Sequence, residues 1–111
     1  MLILFADKSL EKACNNKSVL VKKYGSNQTV KILTRLADIQ AAHNLDIMRS
    51  LPGRCHELTG NMKGYLALDL VQPYRLIFEP SNSPIPLKKD GGLDWTKVTE
   101  IKIIKIENYH G

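Results

Sequence analysis

GYLALDLVQPYRLIFEP, residues 64–80, holds two runs of period two joined by Gln72-Pro73. Leu66, Leu68 and Leu70 share one face of the first run, with Tyr65, Ala67 and Asp69 on the other. In the second run, Tyr74, Leu76 and Phe78 share a face opposite Arg75 and Ile77. Such alternation marks strands with one buried face, and so short a connection pairs them antiparallel. Upstream, Gly60-Asn61-Met62-Lys63-Gly64 reads as a turn bracketed by glycines, preceded by a short extended segment from Arg54 to Leu58. Leu51-Pro52-Gly53 is a firm boundary, because proline cannot continue a helix and glycine accepts turn geometry. Downstream, Pro80 to Trp95 contains three prolines, an adjacent glycine pair and Lys88-Lys89, which predicts a long surface loop. Val98 to Tyr109 predicts a final strand whose alternation slips between Ile103 and Ile104, the mark of a bulge or a change of face.

The first half has a different period. Residues 2–6, LILFA, read as a short buried strand, and Asp7 can cap a helix that carries Leu10, Ala13 and Cys14 at helical spacing. Asn15-Asn16 interrupts that helix, and Ser18 to Tyr24 resumes it until Gly25. Ser26 or Asn27 is the expected cap of the clearest helix, which runs to about His43. Ile32, Leu33, Leu36 and Ile39 form its apolar stripe, with Lys31, Arg35, Asp38 and Gln40 expected to point elsewhere. Segregated helices and strands predict one α+β domain over residues 1–111. Its N-terminal helices pack on one face of a curved, mainly antiparallel sheet, and the other face stays partly open and carries Arg75.

The 111 residues suit a single domain, and the 43% hydrophobic content is that of a globular protein. The apolar run at Leu2 to Phe5 falls far short of the roughly 20 residues of a membrane span. No basic start precedes it as in a secretory signal, so the expected location is the cytoplasm, with no membrane partner. Cys14 and Cys55 are too few for a disulfide scaffold or a four-ligand zinc site. Sixteen Lys and Arg against eleven Asp and Glu give a net charge of +5, which suits a polyanionic partner such as nucleic acid, or an acidic protein.

No phosphate loop, paired-cysteine motif or nucleophile elbow is present. The residues that can do chemistry are His56, Arg75, Tyr109 and His110, gathered if the sheet brings the last strand's end beside the first hairpin. Such a group suits RNA cleavage. A base deprotonates the ribose 2′-hydroxyl, an acid protonates the departing 5′-oxygen, and a guanidinium stabilises charge on the phosphorus oxygens. Imidazole suits both proton transfers near neutral pH. No cofactor is expected: the nucleophile is internal, and no carboxylate cluster for magnesium is evident. The plainer alternatives are Arg75 paired with Glu57 or Glu79 across the sheet, Tyr109 covering the core edge, Trp95 anchoring the long loop, and a structural or solvated His43.

LPGRCHELTGNMKGYLALDLVQPYRLIFEP, followed by the C-terminal IENYHG, resembles the HigB or "killer protein" branch of the RelE/ParE toxin superfamily. The similarity covers about residues 51–79 and 98–110, and more loosely the N-terminal helices. The resemblance implies a RelE-like fold and the toxin of a type II toxin–antitoxin pair, a metal-independent, ribosome-dependent mRNA endonuclease. It places His56, Arg75, Tyr109 and His110 on the family's catalytic positions. Arg54, Lys63 and Asn108 are the residues expected to bind RNA. Asn108 stands where the family usually has aspartate, and Thr59 where it often has lysine, a charge that Lys63 can replace if its turn faces the site. The implied partners are a helix-turn-helix antitoxin of the HigA kind, the ribosome with its mRNA, and operator DNA reached through the antitoxin. The alternative is a catalytically inactive or ParE-like, gyrase-directed member that acts by binding.

Overall fold

The computed structural model describes residues 1–109. In chain order it comprises β1 (Leu2–Phe5), α1 (Lys8–Cys14), α2 (Lys17–Tyr24), α3 (Ser26–Ala41), β2 (His56–Glu57), β3 (Leu66–Asp69), β4 (Tyr74–Pro80) and β5 (Glu100–Asn108). The five strands form one sheet in the order β1-β5-β4-β3-β2. β1 pairs parallel with β5 and the other neighbours are antiparallel, so the sheet is mainly antiparallel as expected. Leu20, Ile32 and Ile39 of the helices bury against Leu66, Leu68, Leu76, Phe78, Ile101 and Ile103 of the sheet. The expected slip in the last strand is real. Ile77 faces Lys105 but Phe78 faces Ile103, so Ile104 is the extra residue of a bulge.

The helix starts follow from local chemistry. Asp7 accepts the Leu10 N–H at 2.7 Å, and Asn16 accepts that of Val19, which is why the Asn15-Asn16 break separates α1 from α2. Neither Ser26 nor Asn27 caps α3, contrary to expectation. Gly25 (φ +86) precedes the helix with no side-chain cap, and its carbonyl accepts from both the N–H and the hydroxyl of Thr29. α3 stops at Ala41, short of His43, and Leu45–Ser50 then forms an unforeseen 3-10 helix capped by Asn44. Its Leu45 and Met48, three residues apart, are fully buried, because a 3-10 turn aligns i and i+3. No described helix is long and apolar enough to cross a membrane.

Two polar side chains of α3 tie the helix layer to the central hairpin. Arg35, expected on the outer side, is only 6% exposed and donates from Nε to the Asp69 carbonyl at 2.9 Å. Gln28 is also buried, and it donates to the Val71 carbonyl (3.0 Å) while accepting the Val71 N–H (2.9 Å). Val71 precedes the Gln72-Pro73 turn, so this amide holds the turn as a neighbouring strand would. Gln28→Ala is expected to cost about 2 kcal/mol, the loss of two part-buried hydrogen bonds to the Val71 backbone. Urea unfolding measures it, and a loss below roughly 0.5 kcal/mol would mean that the turn holds itself.

The 80–95 loop is anchored at both ends. Asn82 accepts the N–H groups of Thr99 and Glu100, fixing the loop to the start of β5. Trp95 is the expected anchor: its indole N–H donates to Glu57 at 3.0 Å, and the Arg49 guanidinium lies 3.7 Å over the ring.

Candidate functional site

Cross-strand partners share a face of a sheet. The register therefore gathers Asp69, Arg75 and Glu107 in one row, and His56, Ala67, Ile77 and Lys105 in the next. Both rows lie opposite Leu66, Leu68, Leu76 and Phe78, on the face turned away from the helices. This face, open only in part because Ala67 and Ile77 are fully buried, thus carries a chain of alternating charge.

Arg75 is its centre. Nε and Nη2 each lie 2.8 Å from one Glu107 oxygen, Oε2, and Lys105 Nζ lies 3.1 Å from the other, Oε1. The Tyr109 ring stands 4.8 Å from the Arg75 guanidinium carbon, a cation–π distance. Tyr109 is held there by the hairpin turn, because its N–H donates to the Pro73 carbonyl and its hydroxyl to Gln72 at 2.8 Å. Tyr109, just past β5, is thus tied to the turn between β3 and β4.

Arg54 enters from the other side. Its backbone is left-handed (φ +51), which is rare for a residue with a side chain. From that position its guanidinium grips both Asp69 oxygens, at 2.9 and 3.2 Å. The same backbone turns the Arg54 carbonyl toward His56 Nδ1, 2.7 Å away. A carbonyl can only accept, so Nδ1 carries the proton and the neutral ring keeps its lone pair on Nε2.

The charges have physical consequences. Burial disfavours the Glu107 carboxylate, but hydrogen bonds and positive charge from Arg75 and Lys105 outweigh it and hold its pKa below the ordinary value. A depressed carboxylate pKa adds stability that is fully present above the unfolded value and disappears as pH falls through the folded one. Wild type should therefore lose more melting temperature than Glu107→Gln between about pH 5 and pH 3, by on the order of 3 °C. Equal losses would remove Glu107 from the stability of this face. Asp69 likewise favours the charged form of Arg54, whose pKa it raises by hydrogen bond and charge.

No family model and no curated protein matches the sequence. Among solved structures, the chain is similar to a YoeB/ParE toxin from Agrobacterium tumefaciens, with a TM-score of 0.60 at 13% identity, over 97% of this chain and 98% of that one. The chain has a YoeB/ParE-type toxin fold. The expected RelE-like arrangement of helices on one side of a mainly antiparallel sheet is thus met.

On this toxin fold the expected site residues separate. Arg75 and Tyr109 touch, and Arg54 reaches the same row through Asp69. His56 shares the face but lies two strands from Arg75, a lateral separation of about 10 Å. His110 lies outside the described residues. Asn108 pairs with Tyr74, whose ring meets Tyr24 on the helix side, so alternation assigns Asn108 to the face opposite Arg75. Lys63 belongs to the turn at the far end of the hairpin, in a pocket with Glu57 and Glu79, about 13 Å along β4 from Arg75. It does not take the place of the lysine that Thr59 replaces.

The partner of Arg75 is neither Glu57 nor Glu79. Glu57 pairs in register with Leu66 on the opposite face, where it accepts from Trp95, and Glu79 is four residues further along β4. Glu107 and Asp69 are the residues beside Arg75 that the sequence reading missed. Their signal was the period-two position opposite Arg75, set by the hairpin for Asp69 and by the register of β5 for Glu107. Chemically, the face offers a fixed guanidinium, a stacking ring and an imidazole whose Nε2 has no hydrogen bond among the described residues.

Proposed function

We propose that this chain is the toxin of a type II toxin–antitoxin pair, of the HigB kind, and that it cuts messenger RNA on the ribosome. In this reading a base takes the 2′-hydroxyl proton and the 2′-oxygen attacks the adjacent phosphorus. The bond to the 5′-oxygen breaks, and an acid protonates the leaving oxygen. The products carry a 2′,3′-cyclic phosphate and a 5′-hydroxyl. His56 and His110 are the proton-transfer candidates, Arg75 stabilises the charged transition state, and Tyr109 stacks on a base or positions the ribose. Arg54 holds a neighbouring phosphate. No cofactor is required, because the substrate supplies its own nucleophile.

The observation that carries the reading is the contact of Arg75 with Tyr109 on the open face of a toxin fold, with the His56 Nε2 lone pair on that same face. The proposed partners are the ribosome with its mRNA and a helix-turn-helix antitoxin of the HigA kind that reaches operator DNA. An acidic antitoxin segment suits the net charge of +5. The proposed compartment is the cytoplasm.

A second reading, binding without cleavage, rests on the Arg75–Glu107 ion pair, which occupies the guanidinium. Expression in a bacterium separates the readings. A ribonuclease toxin stops growth with message decay and no DNA-damage response, and its His56→Ala variant grows. Growth arrest with DNA-damage signalling and stable messages would favour a gyrase-directed protein. Normal growth with stable messages would favour the binding module.

A further inference from the structure

We propose that Arg75 and Lys105 form a phosphodiester-binding pair whose position Glu107 fills in the free protein, so that RNA binds by displacing this carboxylate. The inference rests on the RNA-directed reading above for the identity of the ligand. Its physical basis is the geometry around Glu107. Arg75 contacts one carboxylate oxygen through two nitrogens, and Lys105 contacts the other. Two oxygens of a phosphodiester present the same pattern of acceptors to the same two cations.

Three features make Glu107 a competitor and not just a neighbour. Asp69, the other carboxylate in the row, gives both oxygens to Arg54, which leaves Arg75 with Glu107 alone among its ion partners in residues 1–109. The Arg75 and Glu107 side chains are 19% and 21% exposed, open enough for an incoming ligand yet sheltered enough for their attraction to matter. Tyr109 packs against the guanidinium and would provide a stacking surface for a base next to the displaced carboxylate. Weak or singly charged anions would not open such a site. A single strand already held at several phosphates would, which makes Glu107 a selectivity device.

The test uses the purified full chain and a fluorescein-labelled uridine pentaribonucleotide, read by anisotropy across a salt series. Glu107→Gln is expected to bind roughly tenfold more tightly than wild type, by loss of one charge competing at close range. Its log K against log salt is expected to keep the wild-type slope, because both proteins make the same phosphate contacts once the RNA is bound. Glu79→Gln, which removes the same charge further along β4, is expected to stay within about twofold of wild type. In wild-type protein the Arg75 Nε–H resonance is expected to shift saturably with the pentamer, which tests the exchange of partners without any variant. The proposal is overturned if Glu107→Gln gains no more than Glu79→Gln, if neither protein binds the pentamer, or if the Arg75 signal stays still at saturation. Displacement of RNA by a pentaglutamate peptide as effectively as by unlabelled pentamer would assign the pair to acidic peptides and overturn it too. Pentamer binding needs neither ribosome nor cleavage. A gain in Glu107→Gln with uncut messages defeats only the nuclease reading, and cut messages without that gain defeat only this one.

Discussion

Arg75→Ala is expected to slow message cleavage on programmed ribosomes by about 10²–10³-fold, the usual loss when one fixed donor to a transition-state oxyanion is removed. The size follows from how the side chain is held. Its guanidinium faces the Tyr109 ring and stands opposite Asp69 in the ladder, holds that remain when Glu107 is displaced, so its position is set before substrate arrives. Arg75→Lys should restore only part of the rate. An ammonium keeps the charge but loses the planar fork, and it presents a poorer partner to Tyr109. The fold should lose no more than the few degrees this ion pair contributes, because Glu107 keeps Lys105 when Arg75 is truncated. Initial cleavage rates with melting temperatures alongside make the distinction. Near-wild-type cleavage by Arg75→Ala would remove the guanidinium from the mechanism.

The largest stability effect is expected at Gly53. Its φ of +116 is one that residues with side chains rarely adopt, and a Cβ there would stand 2.8 Å from Arg35 Nε and 3.0 Å from Leu68 Cδ2. The Gly53 carbonyl accepts the Asp69 N–H at 2.7 Å, and the Asp69 carbonyl accepts from Arg35. A methyl group at this position therefore pushes on Arg35, the side chain that donates to the Asp69 carbonyl. Gly53→Ala is expected to destabilise the protein by about 3 kcal/mol, backbone strain and overpacking together. Gly91→Ala isolates the strain, because Gly91 has a φ of +89 with nothing within 4 Å of its added Cβ. It should lose only about 1 kcal/mol in urea unfolding. Equal losses at the two positions would mean that the approach of Arg35 imposes no constraint.

Much of this architecture was legible in the chain because its cause is local. Period-two runs at 65–71 and 74–79 became the central hairpin, and the adjacent isoleucines at 103 and 104 became the bulge. Asp7 and Asn16 end loops by chemistry that needs no distant partner. Arg35 shows the limit. Helical spacing assigns it to the polar side, yet tertiary packing buries its stem because a glycine and a backbone carbonyl on another element accept it. The site divides in the same way. The contact of Arg75 with Tyr109 follows from strand order and could be anticipated, whereas Asp69 depends on the register of the β3–β4 hairpin and Glu107 on that of β5, which a one-residue bulge shifts. Lys63 and Asn108 were grouped with Arg75 by resemblance in sequence, but strand length and alternation separate them from it.

The central claim is that this face turns the RNA's own 2′-hydroxyl against the neighbouring phosphate. Chemical typing of the ends left on ribosome-bound message tests it most directly. Wild-type protein, but not Arg75→Ala, is expected to leave 2′,3′-cyclic or 3′-phosphate ends upstream and 5′-hydroxyl ends downstream. Intact message, or fragments ending in 3′-hydroxyl and 5′-phosphate, would contradict it.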